Sequence, residues 1–200
     1  MDKQFKLFDF QGTPVTVSIW FLLLLPLTGF NINLFVSAFI AILVHEMAHT
    51  FVANRYHYRV YGINIGLFFG SASIDSNMAQ RDSIPITAAG PISNLILFII
   101  SIFLQFYLVN DFITTFASVN LILFIFNILP IYPMDGGHIL RDLLMLNMRD
   151  RWKGARIAAV VSLFTSIALL VYCIISSNII MFVFSGLFIY YALKELEIIK

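Results

Sequence analysis

The sequence predicts an all-α polytopic membrane protein of about six transmembrane helices, with a small β-hairpin or strand element on the cytoplasmic side. Three observations predict it. Of the 200 residues, 60% are apolar and only 12% charged, with a mean hydropathy of +0.91, whereas a soluble domain carries about a quarter charged residues. Six apolar stretches approach or reach the ~20 residues that cross a ~30 Å hydrocarbon core. Every Lys and Arg, moreover, falls on one side of the topology those stretches define.

Residues 4–17 alternate loosely, with Phe5, Leu7, Val15 and Val17 apolar, and read as a strand ahead of the first helix. The spans fall at residues 15–30, 32–54, 84–109, 112–131, 155–176 and 178–196. The first is short and contains Pro26, so it tilts, breaks or thins the bilayer locally. Short connections at 29–33, 110–111 and 176–178 make three antiparallel hairpins, and the longer connections 55–83 and 132–154 lie opposite. Residues 58–74 mix β-branched and aromatic residues with Gly62, Gly66 and Gly70, the pattern of a hairpin at the membrane surface. Residues 136–147 read as a short amphipathic helix at the interface.

The twelve basic residues lie in the N-terminal segment, in the two long connections or the span ends that adjoin them, and at the C-terminal end; the short connections hold none, and only one acid, Asp111. By the positive-inside rule both termini and both long loops are cytoplasmic. Five or seven spans would scatter the basic residues onto both faces. The first apolar run follows a charged segment and lacks a small-residue cleavage site, so no removable signal peptide is expected. The single Cys173 permits no intramolecular disulfide, and a net charge of +1 gives no reason to expect a nucleic-acid partner.

Chemistry enters in the second span, which contains ILVHEMAHTF. A helix turns about 100° per residue, so His45 and His49 share one face a turn apart. That spacing lets two imidazoles reach a single Zn²⁺. Glu46 sits beside that face, placed to take a proton from a water without being a ligand. Three ionisable side chains inside an apolar span each cost ~2.5–3.5 kcal/mol unless compensated, so surface solvation does not explain them. A buried polar network or a proton relay is the competing explanation.

A catalytic zinc keeps three protein ligands and one open position. The fourth span ends in FNILPIYPMDGGHIL, where Pro130 and Pro133 break the helix and Gly136 and Gly137 allow a tight turn. Broken backbone is tolerated near lipid only where it is buried in protein or lines a cavity, so a kinked segment carrying Asp135 is built to reach back toward a site. The third span contributes TAAGPISNLIL, with the buried amide Asn94. At ~1.5 Å per residue, His45 and Asn94 lie ~14–15 Å from the cytoplasmic helix ends. Asn127 approaches the same layer.

The motifs HEMAH, AGPISN and NILPIYPMDGG, in that order on successive helices, resemble the site-2 protease family of intramembrane metalloproteases. That family's signatures are HExxH and a later N-x-x-P-x-x-x-x-D-G, matched here at Asn127, Pro130, Asp135 and Gly136. The resemblance covers roughly residues 15–147. It implies one Zn²⁺ per chain held by His45, His49 and Asp135, with Glu46 as general base. It also implies that Asn94 and Asn127 hold the substrate backbone or the oxyanion; interhelical hydrogen bonding is the alternative. The expected whole is one membrane-embedded metalloprotease domain over 1–200, its core at 15–147 followed by a helical pair at 155–196. It lacks the PDZ-like and cystathionine-synthase-type modules of many members. His138 is a competing ligand, with an interfacial role expected for it; His57, past the helix end, is expected to be solvated.

The expected reaction is hydrolysis of peptide bonds in or near the transmembrane segments of another membrane protein. Its setting is the lipid bilayer, in a prokaryotic plasma membrane. The rivals are a metal-ion transporter and a non-proteolytic scaffold that binds membrane proteins. Glu46 discriminates, because a transporter has no special need of a non-ligating carboxylate beside the first histidine.

Overall fold

Parallel strands cannot be joined by a tight turn; they need a crossover of a dozen or more residues. In the computed structural model, strands β2 (Thr13–Ser18) and β3 (Val60–Ile65) pair in parallel, with Val15 opposite Ile63 and Val17 opposite Ile65. The crossover between them is helix α2 (Ile32–Arg55), which carries HEMAH. A helix long and apolar enough to cross a membrane is thus the middle of a β-α-β unit. The structure describes residues 4–66, 70–75, 77–108, 110–176 and 179–198, with the backbone alone for 179–181. These residues fall into two units, Met1–Met78 with Ala89–Ile125, and Ala79–Ala88 with Phe126–Lys200.

In the first unit, β1 (Gln4–Phe10) and β4 (Gly70–Ile74) complete a four-stranded sheet of order β1-β2-β3-β4. The outer pairs are antiparallel. The hairpin expected over 58–74 is β3–β4, with residues 67–69 outside the described residues. Alternation along β2 and β3 buries Val15, Ile63 and Ile65 completely, and α2 packs against β3 and β4.

Both ends of α2 are set by local chemistry. At its start the Asn31 side chain accepts from the Leu34 N–H at 3.0 Å, the usual N-cap bond. At its end His57 takes a left-handed φ of 63°. The His57 N–H donates to Asn54 O at 3.1 Å and the Tyr58 N–H to Ala53 O at 3.0 Å, the paired bonds of a Schellman stop. His57 itself is exposed, as its sequence context predicts.

The stretch 15–30 does not form a spanning helix. After β2 it forms a 3₁₀ turn, Ile19–Leu23, and the four-residue helix α1, Leu24–Leu27. Together these rise about 16 Å, roughly half a hydrocarbon core. The β-branched residues before Ile19 go to the sheet, and the Phe21 ring packs tilted against Phe35 and edge to face with Phe39 of α2, centroids 5.3 and 5.5 Å apart. Among the described residues four helices have the length and apolarity to cross a membrane: α2, α3 (Gln80–Gln105), α4 (Asp111–Ile128) and α6 (Arg151–Ile175). The last predicted span forms α7, Ile179–Ile198.

In the second unit, α4 stops at Ile128 rather than 131, because Pro130 lacks the N–H a further turn requires. The chain then doubles back into α5 (Asp135–Asn147), the short amphipathic helix expected at 136–147. The turn is tight enough that a Cβ on Gly136 would run into the carbonyls of Ile128 and Leu129. The Tyr132 N–H donates to Ser162 Oγ of α6 at 2.8 Å, and the Tyr132–Pro133 bond is cis. Helix α6 presents Gly154, Ala155, Ala158, Ala159, Ser162 and Ser166, all buried, where α5 and α7 pack; small residues permit that close approach. Asp142 of α5, 1% exposed, accepts from Ser83 Oγ at 2.5 Å and from Arg141 Nε at 3.0 Å.

Candidate metal centre

Helix α2 puts His45 and His49 one turn apart, and both are buried, at 6% and 7% exposure. Their Nε2 atoms lie 3.1 Å apart, the rings edge to face at 82° with centroids 4.7 Å apart. Two nitrogens of one tetrahedral zinc, each ~2.0–2.1 Å from the metal, stand about 3.3 Å apart. The pair therefore fits a shared ion.

Which nitrogen of His45 is bare follows from a chain of amides. Asn120 on α4 donates its NH₂ to the Phe116 carbonyl at 2.9 Å, so its oxygen faces the other way. Asn94 on α3 donates to that oxygen at 2.9 Å, and to the Ala41 carbonyl at 3.4 Å. A carbonyl only accepts, so the NH₂ of Asn94 is committed and its Oδ1 is the atom that meets His45 Nδ1, at 2.5 Å. Nδ1 of His45 must carry the proton. Nε2 is left with a lone pair, turned toward His49. A metal-ligating histidine is commonly oriented through its other nitrogen in this way.

Asn94 and Asn120 are both fully buried. The sequence singles out Asn94 but misses Asn120, although a lone amide inside an apolar span is itself a signal. Gly90, one turn before Asn94, brings the α3 backbone against both imidazoles: a Cβ there would collide with His49 Nε2 and His45 Cε1. Glu46, 5% exposed, points to a neighbouring sector of α2, and its carboxylate lies against Gly70 of β4.

The other predicted residues belong to the second unit. Asp135 is the first residue of α5 and is half-buried. Asn127, in the last turn of α4, is also half-buried. His138 stands edge to face with Tyr132, centroids 5.2 Å apart. Burial, aided by the Arg141 charge, lowers its pKa below the ordinary imidazole range.

The sequence model of Peptidase family M50 matches residues 107–172, a range that holds the Asp135 turn but not the histidine pair. The zinc metalloprotease MJ0392 of Methanocaldococcus jannaschii is 29% identical over 209 residues, covering 98% of this chain. The chain spans 61% of that relative's length. The solved structure of a site-2 protease from Methanocaldococcus jannaschii superposes with a TM-score of 0.74 at 28% identity, over 97% of this chain and 95% of that one. In sequence and in fold the chain is similar to these proteins. It carries HEMAH on a helix long and apolar enough to cross a membrane, with the Asn94 amide behind the first histidine.

Proposed function

We propose that the chain is an intramembrane zinc metalloprotease that hydrolyses peptide bonds in or near transmembrane segments of other membrane proteins. The observation that carries the reading is the His45–His49 pair, two buried Nε2 atoms 3.1 Å apart with the tautomer of one fixed by Asn94. Asp135 is the third ligand in this reading. Each of the three side chains offers one atom of the kind zinc takes, and one ion per chain satisfies them. The zinc metalloprotease name of MJ0392 supports the same choice of metal.

When bound, zinc supplies a Lewis acid that polarises the scissile carbonyl and acidifies water. The protein groups do the rest. Glu46 takes the proton of the attacking water and passes it to the leaving amine. Asn94 keeps the His45 ring turned so that its Nε2 faces the ion. Asn127 is assigned to the substrate backbone or the oxyanion, where a hydrogen-bond donor counts most.

A helical substrate hides its carbonyls and must unwind before attack. Among the described residues β4 pairs only with β3, and it lies against Glu46, well inside the length of α2. An open strand edge at membrane depth is tolerated only where it is covered or faces a cavity. An unwound substrate segment added to β4 as a fifth strand would satisfy that edge and bring its carbonyls beside the base. The charge asymmetry of the loops supports cytoplasmic termini in a prokaryotic plasma membrane. A metal carrier would need no such carboxylate beside the first ligand.

The test is purified protein assayed for zinc and for cleavage of single-span membrane proteins, alongside Glu46→Gln. The variant is expected to keep its zinc and lose cleavage. A variant that loses zinc yet still cleaves would overturn the assignment.

A further inference from the structure

Gly70, the first residue of β4, has no positive φ to explain its choice. Space explains it instead. A Cβ built there would come within 2.7 Å of Glu46 Cδ and 2.5 Å of its Cγ. The obstruction includes the stem of the side chain as well as its tip, and Glu46 is only 5% exposed, so the carboxylate has no open water to swing into. Gly62 on the adjoining strand is a useful contrast: its nearest atom would be Pro14 O at 3.8 Å, an ordinary contact.

We infer that Gly70 is a positioning residue for Glu46, its bare backbone forming the surface against which the carboxylate rests and from which it takes its direction. The inference builds on the reading of Glu46 as general base. A helix alone leaves a glutamate three rotatable bonds, two of them three-fold. The strand removes that freedom from the side opposite the helix. Base and sheet therefore move together, and any side chain at position 70 displaces the group that handles the proton.

The experiment uses the full chain as wild type and in six variants: Gly70→Ala, Gly62→Ala, Glu46→Asp and Glu46→Ala, and the last two each combined with Gly70→Ala. Gly70→Ala is expected to lower kcat by about 100-fold, the scale of a 1 Å misplacement, with KM and zinc content unchanged. Glu46→Asp with Gly70→Ala regains part of that loss relative to Glu46→Asp alone, because the shorter side chain draws the carboxylate away from the added methyl. Gly62→Ala leaves kcat as it was.

If Gly70→Ala melts early or sheds zinc, the Glu46→Ala background decides. With the carboxylate removed, the methyl fits, and the melting temperature and zinc content match those of Glu46→Ala. This arm holds even if no substrate is ever cut, so it separates the contact from the protease reading. Wild-type kcat in Gly70→Ala, or a defect that persists undiminished in both Glu46 backgrounds, overturns the inference.

Discussion

Asn94 accepts from the Nδ1–H of His45 while its own amide hydrogens are taken up by Ala41 and Asn120, so one buried side chain fixes which nitrogen of the histidine is bare. Replacing Asn94 with Ala or Leu frees the ring to rotate and to change tautomer. Zinc affinity is expected to fall about 10–100-fold, the usual cost of losing such a partner. Asn94→Asp, which keeps an acceptor, should bind more tightly than either. Competition titration with a chromophoric chelator measures the order; equal affinity in all four proteins would contradict it.

On the proposed reading of Glu46 as general base, Glu46→Gln removes the proton acceptor without changing size. The expected loss is about 10²–10⁴ in kcat, the range of a general base, with zinc stoichiometry intact. Metal analysis and cleavage on the same preparation check both halves of the statement.

Stripping the metal should destabilise the fold as well as stop the chemistry. Zinc bound only by the folded chain adds about 2.7 kcal/mol when present at a hundred times its dissociation constant. A chelator should therefore lower the melting temperature of the wild type. It should leave that of the His45→Ala, His49→Ala double variant where it was.

In the second unit, Ser83 donates to a carboxylate oxygen of Asp142 that is almost wholly buried. Ser83→Ala leaves that oxygen without its donor, which costs about 1–3 kcal/mol. Thermal unfolding in detergent reads it, and an unchanged melting temperature would mean that water replaces the hydroxyl.

Ala159 on α6 is completely buried beside Tyr132. Leucine there overfills a packed seam, and the expected penalty is about 1–3 kcal/mol. The same change at Val160, 37% exposed on the same helix, should be close to neutral.

The sequence shows the histidine pair plainly, because i, i+4 spacing is local and ionisable groups inside an apolar run have no bland use. The break at Pro130 and Pro133, the amphipathic helix expected at 136–147 and the hairpin over 58–74 are legible for the same reason, though the helix stops at Ile128 rather than 131: Pro, Gly and alternation act over a few residues. What stays hidden is pairing across distance. Nothing in Thr13–Ser18 says that its partner is Val60–Ile65 on the far side of a helix, and that missing partner is why 15–30 reads as a span. Asn120 stands out as a lone amide in an apolar span, but its link to His45 runs through Asn94 and shows only in the structure. Gly70 reads only as one of three glycines in a hairpin pattern until the strand is seen against Glu46.

The parallel pairing of β2 with β3 has a consequence for how the chain is made. β2 leaves the ribosome first and β3 only after all of α2, so the sheet cannot close until the histidine helix is already synthesised. During that interval Glu46 has no strand beside it and the β2 edge stands open. Asn94 and Asn120 are made later still, so the amides that orient His45 arrive only after the β3–β4 hairpin is available to dock.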